Sequence, residues 1–347
     1  MHKYSNTLTI SPVIVKNGLM VLSGYAIQLF VDSGFLVVRD GFGRQRRESK
    51  FSKATCRIKR VVVLGNKGSI TFAAFAWLYG IKAAFIQIGW NGEVYNATVT
   101  RKDDVLLRRK QYSAVNNDTG LDITRYVIRE KVIGQTAVIK EIFPNEVYPY
   151  DDTYRLSEFL ELLTIKTEYA NTIDELIGIE SLAANAYWTV IGKFPLNYIQ
   201  ADEDKIPEHW KIFGARHSLL QRKANRNATN PANAMLNYLY ALLYAETRIK
   251  MLQAGLDTWA GIFHTDSLYR ESFVYDVMDA GRSKVDKWLL DFIQNNTFPK
   301  KYFRETENGH VRLNLHLSPM LAATISEWGN AIDPAVNRVK AILKNGK

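Results

Sequence analysis

The sequence predicts an α+β fold in which a small N-terminal β-sheet domain precedes a larger, mainly α-helical domain. Three observations support this prediction. A chain of 347 residues exceeds the length at which a single hydrophobic core usually stops growing, so two domains are expected. Short β-branched runs separated by glycine turns occupy about the first hundred residues. Beyond residue 112, apolar residues recur at spacings of three and four, which is typical of amphipathic helices.

The N-terminal domain is predicted to span residues 1–100, followed by a linker at residues 101–112. Its predicted strands are TLTISPVIV, AIQLFVD, FLVVRD, RVVVLG, AAFIQIG and EVYNATV. One helix interrupts them at residues 69–80, SITFAAFAWLYG, with Ser69 as a suitable N-cap.

The helical domain is predicted to span residues 113–347. Its predicted helices are LDITRYVIREKVIGQTAVIKEIF, TYRLSEFLELLTI, TIDELIGIESLAANAYWTVIGKF, PANAMLNYLYALLYAETRIKMLQAGL and FVYDVMDAGRSKVDKWLLDFIQN. The fourth has the clearest boundaries, because Thr229 and Asn230 offer an N-cap, Pro231 suits the first turn and Gly255 suits the C-terminal stop.

The charge balance favours an acidic partner such as nucleic acid. Lys and Arg outnumber Asp and Glu by 45 to 35, which leaves a formal net charge of +10. Two basic stretches stand out, residues 39–60 and residues 211–230. The first is interpreted either as a nucleic-acid contact or as a solvated hairpin edge. The second has no acidic residue and is predicted to contact a DNA backbone through Arg216, Arg222, Lys223, Arg226 and Asn230.

Several classes of protein are disfavoured. Cys56 is the only cysteine, so one chain can form neither an internal disulfide nor a thiolate zinc site. The N-terminus lacks a secretory signal pattern and no run of eighteen apolar residues occurs, so we expect a cytoplasmic protein without a membrane partner. The stretch GNKGS lacks phosphate-loop spacing, and no Gly-x-Ser-x-Gly elbow of a serine hydrolase is present.

Glu180 is the most informative single residue. At helical spacing it falls within an apolar stripe that includes Leu176, Ala183 and Tyr187. An ionised carboxylate on a core face is costly unless it is paired, protonated or bound to a cation. A structural glutamate paired with an arginine is the alternative interpretation.

Asp276 and Asp279 lie three residues apart on a predicted helix, so their side chains are neighbours. His264 lies in the preceding loop. Each alone could be an ordinary polar residue, the aspartates on a solvated helix face and the histidine hydrogen-bonded in its loop. Together with Glu180 they offer carboxylate oxygens and one imidazole nitrogen, a ligand set that suits Mg²⁺ or Mn²⁺ better than structural zinc.

Three blocks of sequence resemble the CRISPR-associated integrase of spacer acquisition. They are IGIESLAANAYW around Glu180, NRNATNPANAMLNYLYALL, and AGLDTWAGIFHTDSLYRESFVYDVMD. They occur in the family's order, and the resemblance covers about residues 8–330. It implies that Glu180, His264, Asp276 and Asp279 bind the metal and that Glu180, His264 and Asp279 are catalytic.

The resemblance also implies how the protein works and with what. The β domain would form a homodimer, and the helical domain would bind Mg²⁺ or Mn²⁺ and cut or join double-stranded DNA. Two such dimers would flank a small ferredoxin-like partner of CRISPR adaptation in a prokaryotic cytoplasm. The reaction would insert a short donor duplex into a CRISPR array, with a donor 3′-hydroxyl attacking a target phosphodiester.

The chain departs from the family pattern at two places. Asp279 stands where many relatives have glutamate, and Tyr269, Arg270 and Glu271 replace the commoner sequence after the histidine. Two alternatives remain: an integrase of casposon or stand-alone type, and a catalytically inactive DNA-binding relative. Casposon enzymes usually carry a C-terminal helix-turn-helix, and its absence after ISEWGNAIDPAVNRVKAILKNGK favours the CRISPR role.

Overall fold

The computed structural model describes residues 9–42, 45–215, 228–264, 266, 268, 270–314 and 316–346. These residues form an α+β fold with two compact units. The first unit runs to Thr100 and also includes Leu315–Ser326, and the second comprises Arg101–Asn314 and Glu327–Lys347. A late segment of the chain thus belongs to the first unit, which the sequence did not predict.

Two five-stranded sheets form most of the first unit. The strands are β1 Thr9–Ser11, β2 Val15–Lys16, β3 Leu19–Ser23, β4 Ile27–Asp32, β5 Phe35–Phe42, β6 Gln45–Phe51, β7 Arg60–Leu64, β8 Gly68–Ile70, β9 Ala84–Ile88 and β10 Val94–Thr98. One sheet has the order β1-β6-β5-β4-β8 and the other β10-β9-β7-β3-β2. Strand β7 pairs in parallel with both β3 and β9, which explains its continuous apolar run Val61–Leu64.

Two helices complete the first unit, α1 Phe72–Gly80 and α8 Leu317–Ala322, and α8 contacts β3 and β7. Helix α1 begins later than predicted. The hydroxyl of Thr71 accepts a hydrogen bond from the Ala74 N–H and caps the helix. Ser69, the predicted cap, instead lies in β8, where it pairs with Gln28 of β4.

The first basic stretch forms much of the antiparallel hairpin of β5 and β6. Within it Arg39 contacts Glu48 at 2.9 Å, and the Arg47 Nε donates to the buried carboxylate of Asp40 at 2.7 Å. At least these two cations therefore have partners inside the hairpin, which favours the structural interpretation of this stretch.

The second unit is mainly helical. Its helices are α2 Val105–Ala114, α3 Asp118–Ile142, α4 Leu156–Tyr169, α5 Ile173–Ile191, α6 Pro231–Ala254, α7 Ser272–Gln294 and α9 Ile325–Asn345, the last of which begins at the edge of the first unit. A short hairpin joins β11 Phe303–Glu305 to β12 Val311–Leu313. Among the described residues, no helix is both long and apolar enough to cross a membrane.

Two helices in this unit differ from the predictions, α2 and α9. Most of the predicted linker is helical, because Asp104 caps α2 through the Leu107 N–H. Helix α9 was not predicted, and it tolerates Pro334 in its interior. By contrast, α6 begins after Asn230 and ends at Gly255 as predicted, with Gly255 in the left-handed region at φ 88°.

Helix α3 holds the second unit together, since it contacts α4, α5 and α7, while α6 packs against α7. Gly134 of α3 lies against Ser283 of α7, and a Cβ on Gly134 would stand 1.9 Å from the serine Oγ. The two helices therefore approach closely at this point. The candidate site lies near it, where α3, α5 and α7 meet.

Candidate active site

A buried lysine joins two of the predicted acidic residues. The Lys131 Nζ on α3 lies 2.5 Å from the Glu180 Oε1 on α5 and 2.8 Å from the Asp279 Oδ2 on α7. The side chains of Lys131 and Asp279 are 10% and 5% exposed, and that of Glu180 is 23% exposed. Three helices thus bring one ammonium and two carboxylates together.

Arg282 adds a second cation. One turn beyond Asp279 on α7, its Nε lies 2.6 Å from the Asp279 Oδ1. The contact is an ion pair without hydrogen-bond alignment, and within the described residues both atoms are buried without a hydrogen-bond partner. Asp279 Oδ1 is thus a buried acceptor whose hydrogen-bonding capacity is unused.

The neighbouring charges keep Asp279 and Lys131 ionised. Burial raises the pKa of Asp279, but Arg282, Lys131 and His264 together bring it below its usual value. Burial lowers the pKa of Lys131, and the attraction of Asp279 and Glu180 outweighs that effect and raises it. The carboxylate of Asp279 and the ammonium of Lys131 are therefore both charged at neutral pH.

Asp276 fixes the loop that carries His264. Its Oδ2 accepts a hydrogen bond from the Ile262 N–H at 2.6 Å, and its Oδ1 accepts one from the His264 N–H at 3.0 Å. The same Oδ1 lies 2.6 Å from the His264 Nδ1. Burial raises the pKa of Asp276, although the hydrogen bonds from His264 and Ile262 oppose the rise.

The structure gives Asp276 the role of a loop anchor, and its predicted role as a metal ligand stays a prediction. The residue is completely buried and both of its oxygens serve donors of the loop. Its contact with Nδ1 leaves Nε2 as the ring nitrogen through which His264 can bind a cation. Metal-binding histidines commonly have a carboxylate partner of this kind.

Glu271 fixes the other end of the same loop. Its carboxylate accepts hydrogen bonds from Thr258 at 2.7 Å and from the Arg248 Nε at 2.7 Å, and it also contacts Tyr244. Arg248 and Tyr244 belong to α6, so the residue just before α7 is tied to that helix. The sequence singled out Glu271 only as a departure from the family pattern, and the structure gives it this anchoring role.

A cavity of about 570 Å³ opens beside the ion cluster. Lys131, Glu180 and Arg282 line it together with Trp188 and Tyr240. Asp286 also lines the cavity, and it accepts hydrogen bonds from Tyr187 and Tyr240. The charged cluster is therefore accessible to a ligand of moderate size, and it is bordered by aromatic rings.

The carboxylate oxygens of Glu180 and Asp279 suit a hard divalent cation, but the ammonium of Lys131 lies between them. In the part of the chain that the structure describes, no three Asp, Glu, His or Cys side chains are placed to hold a metal ion. Glu180, Asp279 and His264 nevertheless supply carboxylate oxygens and one imidazole nitrogen. The unused Asp279 Oδ1 is a buried acceptor that such a cation would satisfy.

The predicted site residues have different outcomes. The carboxylates of Glu180 and Asp279 meet at Lys131, and His264 lies near enough to lower the pKa of Asp279. Leu176, Ala183 and Tyr187 form the buried face of α5, whereas Glu180 lies partly exposed at the edge of that face and pairs with a lysine rather than an arginine. The predicted catalytic role of these residues stays a prediction.

The structure uses the side chain of Asn230 inside the protein, and its predicted DNA contact stays a prediction. Its side chain is buried, caps α6 by accepting from the Asn233 N–H at 2.9 Å and donates to the Phe213 carbonyl at 2.8 Å. Both ends of the amide are thus used inside the protein. The other predicted DNA contacts lie outside the described residues: Arg216, Arg222, Lys223 and Arg226.

Sequence reasoning missed Lys131 and Arg282. The signal for Lys131 was present, because it falls among Val127, Ile128 and Val132 on the buried face of α3. A single cation on an apolar helix face requires anions from neighbouring elements. The identity of those anions depends on which helices pack together, which periodicity does not give.

Comparison with known proteins places these residues in a family. The family model described as CRISPR associated protein Cas1 matches residues 20–327. A CRISPR-associated endonuclease Cas1 of Archaeoglobus fulgidus is 28% identical over 284 residues, which cover 79% of this chain and 77% of that protein.

Solved structures show the same fold. A casposase bound to integration product superposes with a TM-score of 0.74 at 22% identity, covering 95% of this chain and 92% of the casposase chain. A chain of a Cas6-RT-Cas1–Cas2 complex superposes with a TM-score of 0.68 at 18% identity, with 100% of this chain and 36% of that chain covered.

Proposed function

Because this chain belongs to the Cas1 family of CRISPR-associated proteins, we propose that it is a metal-dependent DNA integrase with endonuclease activity. The observation that carries the proposal is the meeting of Glu180 and Asp279 beside a cavity, with His264 held nearby by Asp276. These side chains come from three separate segments of the chain. Glu180 lines a cavity that Lys131 and Arg282 also line, and this combination of charges suits chemistry on a phosphodiester.

The residues divide the work as follows. Glu180, Asp279 and His264 would hold Mg²⁺ or Mn²⁺, which would activate a hydroxyl and neutralise charge on the reacting phosphate. Asp276 contacts Nδ1 of His264, which would leave Nε2 as the ring nitrogen that binds the cation. Arg282 and Lys131 line the cavity and would place positive charge beside a phosphodiester that becomes more negative during the reaction. A 3′-hydroxyl of donor DNA would attack a target phosphodiester directly, without a covalent enzyme intermediate. The new bond would join the donor 3′-oxygen to the target phosphorus, and the 3′-oxygen of the cut target strand would leave as a hydroxyl.

The proposed partners are donor and target double-stranded DNA. The relative's name describes an endonuclease, and the solved relatives include a casposase on an integration product and a complex of Cas1 with Cas2. These names support a role in which this chain joins a short duplex to a CRISPR array together with a small adaptation partner. The excess of cations, +10 overall, suits a polyanionic substrate. Homodimerisation through the β unit is part of the same proposal.

A casposon-type integrase is the second candidate. The casposase superposition, with a TM-score of 0.74, favours it as an alternative setting for the same strand-joining chemistry. A catalytically inactive relative is less well supported, since Glu180, Asp279 and His264 are all retained and the cavity reaches the first of them.

Strand joining by the purified full chain tests the proposal. A labelled donor duplex with free 3′-hydroxyls and a supercoiled plasmid are incubated with Mn²⁺ or Mg²⁺, with and without the small adaptation partner. Wild type should transfer label to the plasmid, and Glu180→Ala should abolish the transfer. Glu168→Ala removes an exposed carboxylate from α4 and should leave the transfer intact. Joining that survives Glu180→Ala would refute the site.

A further inference from the structure

Lys131 occupies the position between the two carboxylates that the proposed function assigns to the metal. Its Nζ contacts the Glu180 Oε1 and the Asp279 Oδ2, so one ammonium links α5 to α7. All four charged side chains of the cluster, which also includes Arg282, balance one another as two cations and two anions. A divalent cation that binds the carboxylates of Glu180 and Asp279 must therefore compete with the Lys131 ammonium.

The ammonium can move more easily than the carboxylates can separate. Asp279 is short, buried and paired on its other oxygen with Arg282, and α3 is held close to α7 at Gly134 and Ser283. Lys131 instead carries its charge on a flexible four-carbon stem and lines the 570 Å³ cavity. The cavity offers space into which its Nζ can swing.

A second acceptor lies one helical turn along α3. Gln135 is 3% exposed, lines the same cavity, and its Oε1 is buried without a hydrogen-bond partner among the described residues. Residues four apart on a helix are neighbours, so the Gln135 amide oxygen is within the range of the Lys131 side chain. A buried acceptor left unsatisfied is costly, and an arriving ammonium would relieve that cost.

We propose that Lys131 is a built-in counterion that holds Glu180 and Asp279 together without metal, competes with the metal for them, and moves toward Gln135 when the metal binds. The inference rests on the proposed function, because it takes Glu180 and Asp279 as metal ligands. Lys131 is thus a positioning residue, which keeps two carboxylates from repelling each other and sets how tightly the cation binds. After it moves, its charge remains in the cavity near the reacting phosphodiester.

Binding of Mn²⁺ alone to the purified full chain tests this role without measuring activity. Lys131→Met removes the competing charge and should tighten Mn²⁺ binding by about tenfold or more, the ratio that corresponds to about 1.4 kcal/mol. Without metal, the same variant should unfold at a lower temperature than wild type. Mn²⁺ should raise the melting temperature of the variant by more than it raises that of wild type. Lys140→Met is the matched control, because Lys140 is on the same helix and pairs with Glu161 at the surface.

Gln135→Leu provides a change of the opposite sign. Without the second acceptor the displaced ammonium loses its partner, so Mn²⁺ binding should weaken by about threefold to tenfold. A purely structural role of Lys131 would not place these two substitutions on opposite sides of wild type. If Lys131→Met does not fold, Lys131→Gln removes the charge, keeps a donor and should tighten binding in the same direction.

The outcomes separate this inference from the function on which it rests. If Glu180→Ala abolishes Mn²⁺ binding while Lys131→Met and Lys131→Gln leave it unchanged or weaken it, the counterion role is refuted and the metal site stands. If wild type does not bind Mn²⁺, or if Glu180→Ala binds Mn²⁺ as tightly as wild type does, the metal site and the counterion role are both refuted.

Discussion

Asp276 shows how one buried carboxylate can organise a loop. Its oxygens accept from the backbone N–H groups of Ile262 and His264 and contact the His264 ring. An amide at this position keeps one acceptor but turns an NH₂ group toward donors. The charge that fixes the imidazole tautomer is also lost.

We therefore predict that Asp276→Asn weakens Mn²⁺ binding or strand joining by about 10-fold to 100-fold, the usual cost of losing the partner of a metal-binding histidine. Asp266→Asn is the control, since Asp266 belongs to the same loop and accepts a hydrogen bond from the Gly261 N–H instead of contacting His264. Titration with Mn²⁺ and the joining assay measure both. Equal effects of the two substitutions would contradict the assigned role.

The pKa shifts of Lys131 and Asp279 predict a pH window for the stability that their ion pair contributes. The pKa of Asp279 is lowered, so its contribution is complete above the unfolded value near 3.9 and is lost as pH falls through the folded value. The pKa of Lys131 is raised, so its contribution is complete below the unfolded value near 10.4 and is lost as pH rises through the folded value.

Wild type should accordingly exceed Lys131→Met in free energy of unfolding by a constant amount between about pH 4 and about pH 10. Breaking a buried pair by removing one partner costs about 3–5 kcal/mol. Urea unfolding at a series of pH values measures the difference. A difference that disappears near neutral pH would show that the pair is not ionised as described.

At the scale of elements, the approach of α3 to α7 brings the cluster together. Gly134 lies three residues after Lys131, and Ser283 lies four residues after Asp279, so this close contact of the two helices is one turn from the ion pair. A Cβ on Gly134 would be 1.9 Å from the Ser283 Oγ and 2.7 Å from its Cβ. The hydroxyl can rotate away, but the Cβ cannot without a shift of the helix.

We predict that Gly134→Ala lowers the free energy of unfolding by about 1–3 kcal/mol, as overpacking does, and weakens Mn²⁺ binding. Adding Ser283→Gly should recover part of both losses because it removes the clashing atoms. Gly178→Ala is the matched control on α5, where an added Cβ has nothing within 4 Å. It should be neutral or stabilising by up to about 1 kcal/mol. Similar losses in both alanine variants would contradict the close approach.

The strongly periodic elements were predictable from the sequence, and the weakly marked ones were not. Apolar spacing identified α3 and α5, and the cap residues gave both ends of α6. Helix α2 was missed because half of its residues are polar and its helical start depends on the Asp104 cap. Helix α9 was not predicted either, and the structure continues through Pro334, a residue type that usually disfavours a helix interior.

The same limit applies to the site. Chemistry and family resemblance drew attention to Glu180, His264, Asp276 and Asp279, but not to their different roles. Asp276 became a loop anchor because the fold buries it beneath backbone N–H groups that sequence spacing cannot place. Lys131 lies 49 residues from Glu180 and 148 from Asp279 along the chain, and only tertiary packing joins them.

At the scale of the whole molecule, the net charge of +10 predicts strong dependence of DNA binding on salt. Each phosphate contact contributes about −0.9 to the slope of log affinity against log salt concentration. Substituting Arg222 and Lys223 together with alanine should therefore make the slope less steep by up to about 1.8.

A double substitution outside that stretch, Lys166→Ala with Lys193→Ala, removes the same charge and serves as the control. Fluorescence anisotropy of a labelled duplex at several salt concentrations measures the slopes. If both double variants change the slope equally, the net charge rather than the stretch at residues 211–230 accounts for DNA binding.

A crystal of the full chain grown with Mn²⁺ and measured for anomalous scattering would show directly which residues hold the metal. We predict one anomalous peak within about 2.5 Å of carboxylate oxygens of Glu180 and Asp279 and of the His264 Nε2. The Asp276 carboxylate should remain on the loop, and the Lys131 Nζ should lie away from both acidic ligands. A peak away from these three residues, with Lys131 still between Glu180 and Asp279 at saturating Mn²⁺, would refute this metal site.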